Sequence, residues 1–236
     1  MKRLNFHSVF VPLGHYKKNI MKKQILLFCI IISLIVGCQE EYEKFEDLGD
    51  SKMKNKDYDG AIIEYTNAIK SNPEISDLYN ARGIAKAYNS DFQGAIDDCS
   101  KALDVADRFS QSYNHRGSFY YNRGVSRMDI DDYANAVKDF TESIRAGNDD
   151  ADTYEARAMC KEELTDYQGA IDDYTKSIDE YWKNPSSYFH RGEIYYKLNQ
   201  KDKACSDWSK AGELGKAEAY DKIKEFCNKL PLPPLE

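Results

Sequence analysis

The chain has 236 residues, 42% of them hydrophobic and 31% charged, with a formal net charge of −7. That length can enclose one sizeable core, and its low mean hydropathy excludes a polytopic membrane protein. A net negative field repels phosphate backbones, which argues against a nucleic-acid partner.

The first feature in chain order is an apolar run over residues 25–36, preceded by Lys22 and Lys23. It is too short to span a bilayer comfortably and has the length of a secretory signal core. Met21-Lys22-Lys23 makes a compact basic start, so translation is expected to begin at Met21, with 1–20 an upstream stretch. On either start, residues 1–37 are expected to be removed as a signal peptide. This segment carries six basic residues and no acidic one, so its loss deepens the negative charge of the mature chain. Residues 38–41 then form a short tether.

From residue 42 onward one pattern recurs. Ala61, Ala95, Ala136, Ala170 and Ala204 follow one another at intervals of 34, 41, 34 and 34. A period of 34 marks stacked helix-turn-helix units, none of which can bury its apolar face alone. Unit one (42–75) carries Phe45, Leu48-Gly49, Tyr58, Tyr65, Ala68 and Pro73 around its alanine. Unit two (76–109) carries Tyr79, Gly83, Phe92, Cys99 and Ala102, and unit three (110–150) Tyr120, Gly124, Tyr133 and Phe140. Unit four (151–184) has Tyr154, Ala158, Tyr167 and Tyr174; unit five (185–215) has Tyr188, Gly192, Trp208 and Ala211. The aromatic and the small residue four later share one helical face. The small residue admits the antiparallel second helix, and rings fill the space between units. Most of the 18 tyrosines are therefore core. Cys99 stands where the other units carry a ring and is expected to be an inert buried thiol.

Two further recurrences concern charge. An arginine precedes the small position in units two to five (Arg82, Arg123, Arg157, Arg191), and an acid precedes the ring position (Asp98, Asp139, Asp173, Asp207). They are expected to pair between neighbouring helices, the guanidinium fork matching a partly buried carboxylate. The interval of 41 is a two-turn insertion that keeps the helical face, so the first helix of unit three is expected to run from about 110 to 129 and to project. A capping helix is expected within 216–230, followed by a Pro-rich tail, 231–236. Cys205 and Cys227 lie symmetrically about Lys216 at the final turn. They form a disulfide if the two helices pack closely, and are otherwise two buried thiols.

Together these positions resemble the tetratricopeptide repeat, over roughly residues 42–230. The resemblance implies an all-α fold, a right-handed α-α superhelix of about five repeats plus a capping helix. Ile35-Val36-Gly37-Cys38 resembles the bacterial lipobox, which implies diacylglyceryl transfer to the Cys38 thiol and cleavage before it. Residues 39–43 lack an aspartate in second place after the cysteine and are acid-rich, which is similar to outer-membrane lipoproteins, including surface-exposed ones of the Bacteroidetes. Membrane contact is then through lipid.

No catalytic constellation stands out. Beyond residue 37 there are only two histidines, His115 and His190, and no metal-ligand spacing, phosphate loop or nucleophile elbow. Neither an enzyme nor a cofactor is expected. The family resemblance instead implies a scaffold for protein contacts at the outer membrane; the alternative is a glycan- or peptide-binding subunit of a nutrient-uptake system. In this family the concave face is lined by fixed positions of each first helix. Here they supply the acids Glu46, Asp50, Asp152, Glu155, Glu162, Glu163 and Glu193 and the apolar anchors Tyr88, Tyr121, Met128, Met159, Phe189 and Tyr196. Asp129 occupies another of these positions. Such a face suits a basic or amine-rich protein segment; the oligomeric state is left open. The lipobox generates a direct test. Cys38→Ala is expected to abolish lipid transfer and lipoprotein-type cleavage, read by intact-mass analysis; a wild-type protein without lipid and beginning elsewhere contradicts it.

Overall fold

The computed structural model describes residues 41–109 and 113–227, with the isolated positions 24, 27 and 28. Apart from those three positions the signal segment lies outside the described residues, as do Cys38 and the Pro-rich tail. Among the described residues there are eleven helices and no strand. They are α1 (41–54), α2 (Tyr58–Ser71), α3 (Ser76–Tyr88), α4 (Phe92–Phe109), α5 (Tyr113–Met128) and α6 (Tyr133–Arg145), then α7 (Ala151–Glu163), α8 (Tyr167–Glu180), α9 (Pro185–Lys197), α10 (Lys201–Glu213) and α11 (Ala217–Phe226). Each helix packs on the next, and α5 also touches α3 and α7. The result is an α-α superhelix whose odd-numbered helices form one layer and whose even-numbered helices form the other.

Local chemistry starts and stops these helices. Asp57, Asp150, Asp166 and Asn184 cap α2, α7, α8 and α9 by accepting backbone N–H bonds from the first turn. Pro185 opens α9, where a missing N–H costs nothing. The turns inside the units follow a device without glycine. Lys56, Ser90, Asp131, Thr165 and Asn199 have φ between 58° and 64°, and they recur at the repeat interval. Each is held by a backbone bond from the next residue back to the carbonyl five earlier, such as Asp91 N to Lys86 O at 2.8 Å and Asp166 N to Lys161 O at 2.9 Å.

The packing follows the small-residue and ring pattern. Ala61, Ala95, Ala136, Ala170 and Ala204 are fully buried, as are Phe140, Tyr174 and Trp208. At Gly124 an added Cβ would lie 2.9 Å from the Phe140 ring, and at Gly192 it would lie 2.8 Å from Trp208. The rings occupy the space that a side chain would need.

The recurrent arginines bind three helices at once. Arg82, Arg123, Arg157 and Arg191 each donate from Nε and Nη2 to the two oxygens of Asp98, Asp139, Asp173 and Asp207, at 2.7–2.9 Å. Their Nη1 reaches back to a hydroxyl of the preceding unit: Thr66, Ser100, Thr141 or Thr175, at 2.9–3.1 Å. That hydroxyl in turn donates to the carbonyl four residues earlier in its own helix at 2.7 Å. A tyrosine three residues before each arginine lies under the guanidinium at 5.4–5.8 Å. Lys86, Arg127 and Lys161 add a second cation to the carboxylates of units two to four.

The insertion is distributed differently from the sequence reading. It does not extend α5 alone: α4 has 18 residues and α5 has 16, against 13 or 14 for the other helices from α2 to α10. The reason is apolar. Leu103, Val105 and Ala106 prolong the buried stripe of α4 and pack with Leu78, Tyr79 and Phe119, so the helix continues over that surface. At the other end α11 buries Ala219 and Ile223 against α10, closing the last unit.

The three-helix junction predicts a specific cost. Asp173→Ala strands Arg157 and Lys161 beside a nearly dry site, and is expected to destabilise the array by about 3–5 kcal/mol. Asp104→Ala removes only exposed pairs and is expected to leave the urea midpoint in place. Equal midpoints for the two variants contradict the assignment.

Candidate interaction face and the buried cysteines

The odd-numbered helices α1, α3, α5, α7 and α9 carry the residues that the family resemblance assigns to the partner-binding face, except Asp129, which directly follows α5. Their acidic side chains divide into two groups. Four of the acids are engaged by the protein itself. Asp50 accepts a bond from the Tyr65 hydroxyl at 2.6 Å. Glu155 accepts one from Asn184 Nδ2 at 2.5 Å. Glu162 holds Lys197 at 2.8 Å, accepts from Tyr174 at 3.4 Å and faces His190 at 3.9 Å. Glu193 pairs with Lys222 at 2.8 Å, tying α9 to the cap.

The second group has no such tie. Among the described residues, the carboxylates of Glu46, Asp129, Asp152 and Glu163 make no hydrogen bond or ion pair. Burial, reinforced by Asp50, Asp77, Asp47 and Glu43, raises the Glu46 carboxyl above the ordinary range. Local desolvation alone does the same at Asp129, although its side chain is exposed to solvent. Tyr121 is pushed up by burial and then by Asp152, Asp150 and Glu155. Desolvation leads at all three, and at Glu46 and Tyr121 neighbouring negative charge adds to it. A positively charged ligand lowers the energy of that charge.

The apolar anchors also separate. Tyr88 is 63% exposed and stacks on Tyr58 with ring centroids 5.2 Å apart. Tyr196 and Met159 are exposed as well, the former leaning on Trp208 and Phe226. Tyr121 and Met128 are half-buried against Phe140, and Phe189 packs edge-on to His190 at 5.6 Å. Between α3 and α5 a cavity of about 320 Å³ opens beside Tyr88, Tyr121, Val125 and Asp129. The sequence reading did not foresee it; its signal was Cys99 in place of a ring.

Among the described residues no cluster of three or more His, Cys, Asp or Glu side chains is arranged to hold a metal ion. No described helix is long and apolar enough to cross a membrane. Cys205 and Cys227 are joined in a disulfide, with Cα atoms 5.8 Å apart across 22 residues. Cys99 and Cys160 are free and buried, and burial pushes both thiols up to about 12.

Comparison with known proteins identifies the class. The tetratricopeptide repeat model matches residues 46–112 and 121–185, more than half of the chain, and a second model of the same repeat matches 186–213. The chain belongs to the tetratricopeptide repeat family. Among solved structures it is similar to the crystal structure of MamA protein, with 22% identity, a TM-score of 0.66, and coverage of 83% of this chain and 100% of that one. MamA from Desulfovibrio magneticus RS-1 superimposes with a TM-score of 0.67 at 16% identity, over 75% of this chain and 97% of the other. YrrB, described as a TPR protein with an unusual peptide-binding site, gives 0.65 at 15% identity, over 81% and 97%. These likenesses establish the fold. No curated protein matches the chain in sequence.

The cysteines make a testable pattern. At about pH 8 a thiol titrating near 12 is almost wholly protonated and therefore unreactive. Iodoacetamide is expected to spare Cys99 and Cys160 in the native protein, and mapping without reductant is expected to recover the Cys205–Cys227 cross-linked peptide. Reduction is expected to weaken the cap by about 3 kcal/mol, read as faster amide exchange in α11. Free, labelled Cys205 and Cys227 from oxidising conditions contradict this.

Proposed function

We propose that this chain is a lipid-anchored scaffold of the bacterial cell envelope, held at the outer membrane through Cys38 and binding a basic or amine-rich protein segment along its inner face. It assembles partners rather than transforming a substrate. The observation that carries the reading is the set of unpaired carboxylates, Glu46, Asp129, Asp152 and Glu163, interspersed with the exposed Tyr88, Met159 and Tyr196. Charge of one sign steers an oppositely charged segment, and a few exposed rings supply most of the affinity.

Two observations support the envelope location. The lipobox-like run ends at Cys38, and the disulfide closing the cap fits an oxidising compartment. The fold supports the class of activity, since an array of this kind presents one long face to an extended partner. The peptide-binding site in the description of YrrB is in keeping with this.

The division of the acids decides the experiment. Reversing Glu155 or Glu162 would break contacts with Asn184 or Lys197 and confound folding with binding. A Glu46→Lys, Asp152→Lys, Glu163→Lys variant leaves those contacts in place. Partner recovery from crosslinked envelopes is expected to fall about tenfold or more, and the salt dependence of recovery to disappear. Undiminished recovery with a normal thermal transition removes the charge-steered reading.

A further inference from the structure

We propose that the cavity between α3 and α5 is a socket for one aromatic side chain of the bound segment, with a neighbouring lysine or arginine of that segment meeting Asp129. This rests on the scaffold reading above and specifies what the inner face recognises.

One unit lacks a ring that the other four carry. Four units place an aromatic on the second helix at the same position: Tyr65, Phe140, Tyr174 and Trp208, each no more than 2% exposed. Unit two has Cys99 there. In unit three the Phe140 ring packs with Val125 and Met128 of its own unit and Ala156 and Cys160 of the next. The equivalent positions one unit earlier are Ile84, Ala87, Asn122 and Ser126. All four line the cavity, with Cys99 among them. The space is therefore the one that a ring fills elsewhere, enlarged because Ala87 replaces the methionine found at Met53 and Met128.

The neighbourhood keeps this space from closing. Gly83 approaches Cys99 as the other small residues approach their rings, with an added Cβ 3.2 Å from Sγ. Asn122 Nδ2 donates to Asn80 Oδ1 at 2.9 Å, and Ser126 donates to the Asn122 carbonyl at 3.0 Å. One Asn122 N–H and the Ser126 hydroxyl are thereby engaged, which lowers the cost of bringing a ring against them. Arg82 and Arg123 hold α3 and α5 in the junctions at Asp98 and Asp139, which fixes the separation of the two walls. Tyr88 and Tyr121 stand beside the opening and offer ring faces or edges to an aromatic guest.

Charge selects the rest of the occupant. Asp129 lines the same cavity and its carboxylate has no partner, so an exposed negative charge at the rim favours a ligand bearing a cation. Asp152 and Glu155 lie close enough to raise the Tyr121 hydroxyl, extending the negative field along the groove. An acidic or uncharged aromatic segment gains nothing from these groups. A ring flanked by basic residues satisfies both features together.

Filling the socket from within provides the test. The mature full-length protein is titrated with the probes Ac-Lys-Gly-Trp-Gly-Lys-NH2, its Trp-to-Ala counterpart, and p-cresol. The wild type is expected to bind the tryptophan probe about tenfold or more above the alanine probe. Cys99→Phe is expected to erase that preference while retaining or raising the melting temperature, since the ring restores the packing of the other units. Ala87→Met narrows the same space with a residue that α1 and α5 already carry, and it decides the matter if Cys99→Phe folds poorly. Asp129→Asn is expected to weaken both peptides alike. Equal binding of the two peptides by the wild type overturns the socket. A preference that survives both cavity-filling variants, or binding of p-cresol without the tryptophan probe, does so too. The scaffold reading is judged separately, by partner recovery with the Glu46, Asp152 and Glu163 reversals.

Discussion

The junction of arginine, aspartate and hydroxyl determines how the units stack. One guanidinium joins the two helices of its own unit through a bidentate carboxylate and reaches the preceding unit through a threonine or serine. Burial makes these bonds strong and makes the loss of any one partner expensive. Geometry matters as much as energy. A planar fork with a third donor fixes three helix axes relative to one another, which a lysine could not do.

The ends of the array show what the junction is for. Unit one has Leu48 at the arginine position, and among the described residues no unit precedes it. At the other end the next arginine position is Glu225, so Ser209 receives no guanidinium. Propagation stops there, and closure is taken over by the Cys205–Cys227 bridge, the Glu193–Lys222 pair and the apolar contacts of α11. A directional, repeatable bond has been exchanged for a covalent one at the place where repetition ends.

Between those ends, regularity builds the scaffold and departures from it build the candidate site. The insertion lengthens α4 and α5 together and extends the core through Leu103 and Phe119. Substituting Cys99 for a ring opens the inner face between α3 and α5. The acids behave likewise: Asp50, Glu155, Glu162 and Glu193 bind neighbouring side chains, so inner-face charge alone does not mark a residue as available to a partner. Availability depends on whether a tyrosine, lysine or asparagine from the adjacent helix arrives first.

The amino-acid sequence determined the repeat, the helical class and the arginine–aspartate pairing, because each is written at a fixed interval and depends on residues in adjacent helices. It also carried the hydroxyl partners, Thr66, Ser100, Thr141 and Thr175, at the same interval, although only the packed array shows which arginine they meet. The left-handed turn residues were illegible because none is glycine; the surrounding backbone bonds impose that conformation on lysine, serine, aspartate, threonine and asparagine alike. Which acids remain unpaired, how the insertion divides between two helices, and that a cysteine leaves a cavity were decided only by the tertiary structure. Each depends on distances between helices that no spacing along the chain records.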